Sequence, residues 1–161
     1  MSVGSSYSTI KNQLFTLLAA RSGLNGVAVS PQEPIQATDI TGTAGLKDAI
    51  WCVAADGDYS DQLFKGSPLS FDERYGLVVA IQSIRDTTTG TQLAVDQRVD
   101  EMLYEVLDCI ATDATLGVHL FNYLLVLPAS FKRIVGVMPT GVGHGARCDL
   151  TIEVHCRHTF T

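Results

Sequence analysis

Residues 77–112 read LVVAIQSIRDTTTGTQLAVDQRVDEMLYEVLDCIAT, and the spacing of apolar residues changes once within this stretch. Over residues 77–82 successive side chains fall alternately on two faces, which is the two-residue repeat of a β-strand. After a turn at residues 87–91 the spacing becomes helical over residues 93–112, with an apolar stripe made of Val95, Val99, Met102, Leu103, Val106, Leu107 and Ile110. The stretch therefore predicts a strand, which we extend over residues 71–84, followed by an amphipathic helix.

The flanking segments supply the remaining elements. Ser6 or Ser8 can cap a first helix that runs to Ala20 or Arg21. Apolar segments predict strands that begin at Val27 and at residues 48–55, 123–127, 131–138 and 148–161. Long irregular loops are expected within residues 30–47, 56–70 and 128–147. The order of helix, three strands, helix and further strands predicts one α+β domain over residues 1–161, in which a largely antiparallel or mixed β-sheet carries two main helices on one side. Residues 1–6 are expected to be flexible.

Composition excludes several classes of protein. The chain has 161 residues, 46% of them hydrophobic, which is enough for one core, and its net charge is −6. A nucleic-acid-binding domain would cluster Lys and Arg, whereas here they are scattered apart from Lys132-Arg133. No apolar run reaches the ~18 residues of a membrane-spanning helix. The apolar residues 14–20 are short for a signal peptide and have a helical face, so we expect a protein of the cytoplasm, without a membrane partner.

The cysteines and histidines near the end of the chain invite comparison with a zinc site. Without a signal peptide, the four cysteines are expected to be reduced and buried. On one strand, Cys148 and Cys156 would lie roughly 27 Å apart at ~3.4 Å per residue. His155 would face away from Cys156 and His158, which leaves two ligands, too few for structural zinc. We therefore expect neither a metal nor a cofactor.

Motifs of catalysis are also missing from the sequence. The loop Gly141-Val-Gly-His-Gly145 leads into a predicted strand, whereas phosphate-binding loops lead into a helix. The acidic pairs Asp72-Glu73 and Asp100-Glu101 are consecutive, so their side chains diverge and do not form an acid–base couple. No nucleophile is placed beside a base in a known motif. The expectation is that the protein is not an enzyme.

In element order and local sequence the chain resembles the tail-terminator (minor tail) proteins of long-tailed bacteriophages. The resemblance covers roughly residues 7–160. It is carried by Ile50-Trp51-Cys52-Val53, Asp72-Glu73-Arg74-Tyr75, Leu77-Val-Val-Ala-Ile81, Arg98-Val-Asp-Glu-Met-Leu103, Leu125-Val-Leu-Pro128 and Asp149-Leu-Thr-Ile-Glu-Val-His-Cys-Arg157.

The resemblance implies a structural virion protein that forms a homohexameric ring at the junction of tail and neck. Such a ring is assembled in the host cytoplasm, stops polymerisation of the tail tube protein and joins the tube to the head-to-tail connector. Genomic DNA passes through the ring without specific binding, and an acidic chain suits this because it repels phosphate. The long loops would contact neighbouring subunits, with Tyr59, Phe64 and Phe131 as candidate assembly contacts.

Two alternatives remain open at the level of sequence. The chain could be a head-to-tail connector or another neck or tail-completion protein of similar size. It could also be a small cytosolic enzyme or ligand-binding domain, which a pocket with converging titratable groups would favour.

Overall fold

The computed structural model describes residues 6–32, 46–59, 69–85, 90–121, 123–137 and 143–160. In chain order, the elements are helix α1 (Tyr7–Ala19), a 3₁₀ turn (Ser22–Leu24), strands β1 (Ala28–Ser30), β2 (Leu46–Tyr59) and β3 (Leu69–Arg85), helix α2 (Gln92–Thr112), and strands β4 (Tyr123–Val137) and β5 (His144–Phe160). The order of helix, three strands, helix and further strands is the predicted one, except that the strands predicted separately at residues 123–127 and 131–138 are one strand, β4.

Helix α1 buries one stripe of apolar side chains, formed by Ile10, Leu14, Phe15 and Leu18. Ser6 precedes the helix as predicted, but its side chain makes no capping bond. The Ser6 hydroxyl instead lies 3.0 Å from the Tyr75 hydroxyl, and Ser6 is fully buried. Ser6 is the last residue of the segment expected to be flexible and makes these contacts, while residues 1–5 lie outside the described part of the chain.

Helix α2 matches its predicted bounds to within one residue. The Thr91 hydroxyl accepts a 3.2 Å hydrogen bond from the Ala94 amide and so caps the helix. The buried stripe follows the predicted spacing and contains Val95, Val99, Met102, Val106, Cys109 and Ile110.

The five strands form one mixed sheet in the order β1-β2-β3-β5-β4. The short β1 runs parallel to β2, and every other neighbouring pair is antiparallel. At the centre, β3 and β5 pair along their whole length, from Leu69 opposite Phe160 to Arg85 opposite His144. Strands β1 and β4 are the two edge strands.

Both helices pack on the same face of this sheet. Leu77, Val79 and Ile81 of β3 join even-numbered residues of β5, such as Ile152 and Val154, in one apolar core with the helix stripes. The predicted α+β domain, with two helices on one side of a mixed sheet, is confirmed. The opposite face of the sheet, which we call the open face, carries the odd-numbered residues of β5.

Strands β2 to β5 extend beyond their predicted bounds, and all three predicted loops are shorter as a result. Residues 56–59 belong to β2 and residues 69–70 to β3. Residues 128–137 continue β4 past Pro128 through a bulge between Pro128 and Ser130, so most of the predicted 128–147 loop is strand. Proline is tolerated here because β4 is an edge strand and the bulge interrupts the ladder. Residues 33–45 and 60–68 lie outside the described residues.

Candidate functional site

The three predicted assembly contacts have different outcomes. Phe131 lies on strand β4, not on a loop, and its side chain is 65% exposed. Tyr59 is the last residue of β2, and its side chain lies outside the described part of the chain. Phe64 lies outside the described residues altogether. Strands β3 and β5 separate β2 from β4, so Phe131 and Tyr59 belong to opposite halves of the sheet.

Strand β4 forms one edge of the sheet and carries four exposed apolar side chains, Phe131 on the helix side of the sheet and the other three on the open face. The exposed fractions are 50% for Tyr123, 44% for Leu127, 65% for Phe131 and 46% for Ile134. Only β5 pairs with this strand among the described strands. Sequence reasoning missed Tyr123, Leu127 and Ile134. An apolar segment predicts a strand, but it does not indicate whether that strand lies at the edge of the sheet.

The basic residues of β4 have different roles. Arg133 donates to Asp100 of α2 at 2.5 Å and thereby ties the edge strand to the helix layer. Lys132 stands opposite Asp149 in the ladder and is exposed. The basic pair singled out in the sequence therefore divides between the two faces of the strand.

The other end of the sheet is only partly covered. Strand β1 pairs with residues 49–51 of β2, although β2 continues for eight more residues to Tyr59. A bulge between Cys52 and Ala54 interrupts the β2 ladder, and Val53 in this bulge is 44% exposed. Among the described strands, none pairs with the outer side of residues 53–59. We call this segment the β2 free edge.

A cluster of polar side chains is buried where α1 meets the ends of β3 and β5. His158 Nε2 and Glu73 Oε2 share a 2.7 Å hydrogen bond, and the Ser6 amide donates to the same carboxylate oxygen at 3.0 Å. Burial raises the pKa of the Cys156 thiol to about 12 and also raises the pKa of the Tyr75 hydroxyl. The cluster anchors the start of α1 to the sheet.

This cluster is also the part of the described chain where a metal ion could be considered. Ligand atoms of Glu73, Cys156 and His158 lie within 4.8 Å of one another, and all three residues are buried. The 2.7 Å contact between His158 and Glu73 is a direct hydrogen bond, so an ion between these two atoms would require them to separate.

The predicted geometry of the terminal Cys/His residues is confirmed. His155 lies on the open face, 2.5 Å from Glu153, whereas Cys156 and His158 share the buried face. Sequence reasoning missed Glu73, which stands opposite Cys156 in the ladder. The sequence did contain one indication of its burial: Glu73 falls on the same face of β3 as Tyr75 and Leu77, which point into the core.

A second polar network joins α2 to the sheet. The Asp48 carboxylate accepts from Ser83 at 2.7 Å, from Arg85 at 2.7 and 3.3 Å, and from Arg98 of α2 at 2.9 Å. Burial alone would raise the pKa of Asp48, but these donors outweigh it and hold the pKa below its usual 3.8. The network fixes the docking of α2 on β2 and β3.

Several charged side chains of the open face form ion pairs. Asp72 binds Arg157 at 2.7 Å and Asp149 binds Arg147 at 2.6 Å. Around Gly76 the face forms a shallow depression of about 740 Å³, which the first of these ion pairs lines together with other residues: Asp56, Gly57, Asp72, Arg74, Tyr75, Gly76, Ala129, Thr151, Glu153 and Arg157. The buried cluster of Glu73, Cys156 and His158 includes none of these lining residues, because it lies on the opposite face.

Comparison with known proteins identifies no relative. No model of a known protein family matches the chain, and no curated protein matches it. Among the described residues, no helix combines the length and apolar character needed to cross a membrane.

Proposed function

We propose that this protein is a structural subunit that assembles with copies of itself into a ring, and that the ring is a phage tail terminator. The observation that carries the self-assembly is the edge strand β4, on which four large apolar side chains are between 44% and 65% exposed. The assignment to tail terminators rests on the resemblance of the sequence, from which the homohexamer also follows.

An exposed, long edge strand favours association. Strand β4 has 15 residues. Near its start the Val126 amide donates to the Ala114 carbonyl at 2.8 Å, so the part of the outer side that can pair with another strand lies further along. Natural proteins protect such edges with charges, proline or bulges, and β4 has Pro128 and one bulge near its middle and the exposed Lys132 beyond them. Residues 131–137 beyond the bulge still offer a regular edge, with Phe131 and Ile134 available for burial.

The titratable groups support a structural role because they are engaged in holding elements together. Asp48 joins α2 to the sheet through three partners, and Glu73 joins α1 to it through Ser6 and His158. A catalytic acid or base needs access to a substrate. In this protein Glu73 is 4% exposed and His158 1% exposed.

The charge distribution suits a ring through which DNA passes. The net charge is −6, and the arginines at positions 147 and 157 on the open face are each bound to a carboxylate. Paired guanidinium groups are less available to phosphate, which would weaken the adhesion of a duplex. In the proposed role, the ring sits at the tail–neck junction of the virion, stops tail tube polymerisation and binds the head-to-tail connector.

Light scattering and electron microscopy test this proposal. We expect the purified protein to form rings, alone or on the ends of tubes made from the tail tube protein of the same phage. A protein that stays monomeric at high concentration and leaves tube length unchanged would refute the proposal.

Loss of the gene from the phage separates a terminator from a connector. Loss of a terminator gives overlong tails, whereas loss of a connector leaves tails of normal length that are not attached to heads. Overlong tails are the expected result.

A further inference from the structure

The two outer edges of the sheet carry opposite charges. Strand β4 contains Lys132 and Arg133 and no acidic residue. The β2 free edge, residues 53–59, contains Asp56 and Asp58 and no basic residue. The two edges also both carry exposed apolar side chains, Phe131 and Ile134 on one and Val53 on the other.

We propose that β4 of one copy pairs with the β2 free edge of the next copy, so that the sheets of neighbouring copies become continuous. The proposal rests on the self-assembly proposed above and names the two surfaces that carry it. Backbone hydrogen bonds between the strands would supply affinity, and the opposite charges would select the partner edge.

The direction of the strands agrees with a closed ring. Each neighbouring pair in the order β2, β3, β5, β4 is antiparallel, so β4 runs opposite to β2 within one copy. A rotation about an axis parallel to the strands keeps their direction. Strand β4 of one copy therefore meets β2 of the next in antiparallel orientation, as a head-to-tail contact that can close into a ring.

In one register of this pairing, side chains of β4 and of the β2 free edge on the open face are complementary. Lys132 stands opposite Asp149 and Ile134 opposite Arg147, so both belong to the open face. Asp56 stands opposite Gly76 and Ala54 opposite Val78, which places them on the same face. An antiparallel register that sets Lys132 beside Asp56 also sets Ile134 beside Ala54, an ion pair followed by an apolar pair.

Pairing of β4 with a second β4 is less favourable. It would bring the Lys132 side chains of two copies together on strands that contain no carboxylate, whereas Arg133 is already bound to Asp100. Like charges on directly opposed strands destabilise a sheet. A two-fold contact of this kind would also give a dimer and leave both β2 edges unused.

Charge reversal tests the pairing in solution. Lys132→Glu and Asp56→Lys, made singly, should each weaken self-association about tenfold, since each replaces an attraction by a repulsion. The double variant should recover most of the lost association. Sedimentation velocity over a concentration series measures this, with Gln97→Glu on the exposed side of α2 as a control that alters charge away from both edges.

The controls separate the two proposals. Monomeric wild-type protein would refute self-assembly and the edge pairing together. A wild-type oligomer that neither single reversal weakens, or that the double variant fails to restore, would refute the edge pairing alone.

Cysteine cross-linking distinguishes the two possible partners of β4. Ile134→Cys combined with Ala54→Cys should give a ladder of covalent multimers on mild oxidation of the oligomer, because each copy links to the next. The four native cysteines are buried and should not contribute. Covalent dimers from Ile134→Cys alone would indicate a β4–β4 contact and overturn the proposal.

Discussion

Glu73 is a carboxylate placed where an apolar side chain would ordinarily stand. It occupies an inward position of β3, is 4% exposed, and accepts hydrogen bonds from the Ser6 amide and His158. Removing it would leave these partners buried without their acceptor, which costs more than the bonds themselves contribute.

Replacement of Glu73 by Ala should therefore lower the free energy of unfolding by about 3 kcal/mol. Urea denaturation followed by circular dichroism measures the loss. The matched control is Asp72→Ala, since Asp72 precedes Glu73 but faces solvent with Arg157, a pair that water and salt screen. The control should lose much less, and equal losses would contradict the structural role of the buried cluster.

Asp48 makes the stability of the fold depend on pH in the acid range. Because its folded-state pKa lies below the ordinary 3.8, its contribution is complete above that pH and disappears as the pH falls through the folded value. Asp48→Asn should be less stable than wild type at pH 7, and the difference should shrink steadily below pH 3.8. Denaturant titrations from pH 7 to pH 2.5 measure it, and parallel profiles for the two proteins would refute the prediction.

At the residue scale, the sequence predicted the geometry of the terminal Cys/His residues but missed the cluster they join. Strand alternation alone places His155 opposite to Cys156 and His158. The partner Glu73 comes from another strand, and its pairing with Cys156 depends on the register of β3 on β5. Register is set by tertiary packing and turn geometry, which local sequence does not specify here.

At the element scale, the start of α2 depends on one hydroxyl group. Thr91 accepts the Ala94 amide at 3.2 Å and caps a 21-residue helix that supplies six buried side chains to the core. Thr91→Ala should lower the free energy of unfolding by about 1 kcal/mol, and Thr91→Ser should retain most of the stability. Thr112→Ala, at the other end of the helix, removes only an exposed bond to the Asp108 carbonyl and serves as the control. A loss for Thr91→Ser as large as that for Thr91→Ala would contradict capping.

The elements differ in how well their sequence predicted them. Helix α2 has a long apolar stripe and a capping residue, so its bounds were predicted to within one residue. The strands were cut short at Gly57 and Pro128, which ordinarily mark turns. The sheet overrides these local signals, because Gly57 pairs opposite Tyr75 and Pro128 sits beside an edge bulge. Ser6 shows the reverse case, in which a residue suited to capping a helix bonds to the sheet instead.

At the scale of the whole molecule, the α+β class followed from the order of elements, but the edges of the sheet did not. The sequence pattern indicates where strands occur, but it does not indicate which two strands lie at the edges of the sheet. That order decides which apolar segments are exposed, and hence where association is expected. Strands β4 and β5 both contain Leu, Ile, Val and Phe residues, yet among the described side chains only β4 presents several large apolar ones to solvent.

The strand order also predicts how stability is distributed through the molecule. Amides of β3 and β5 lie in paired ladders on both sides, so their exchange requires opening of the centre of the sheet. Hydrogen exchange at concentrations below self-association should therefore be slowest in β3, β5 and α2, and faster in β1 and on the outer side of β4. At concentrations that favour assembly, residues 131–135 and 53–57 should slow together, because the proposed register pairs these two segments. Equal protection of β4 and β3 in the dilute protein would contradict the strand order, and slowing of only one of the two edges on assembly would contradict their mutual pairing.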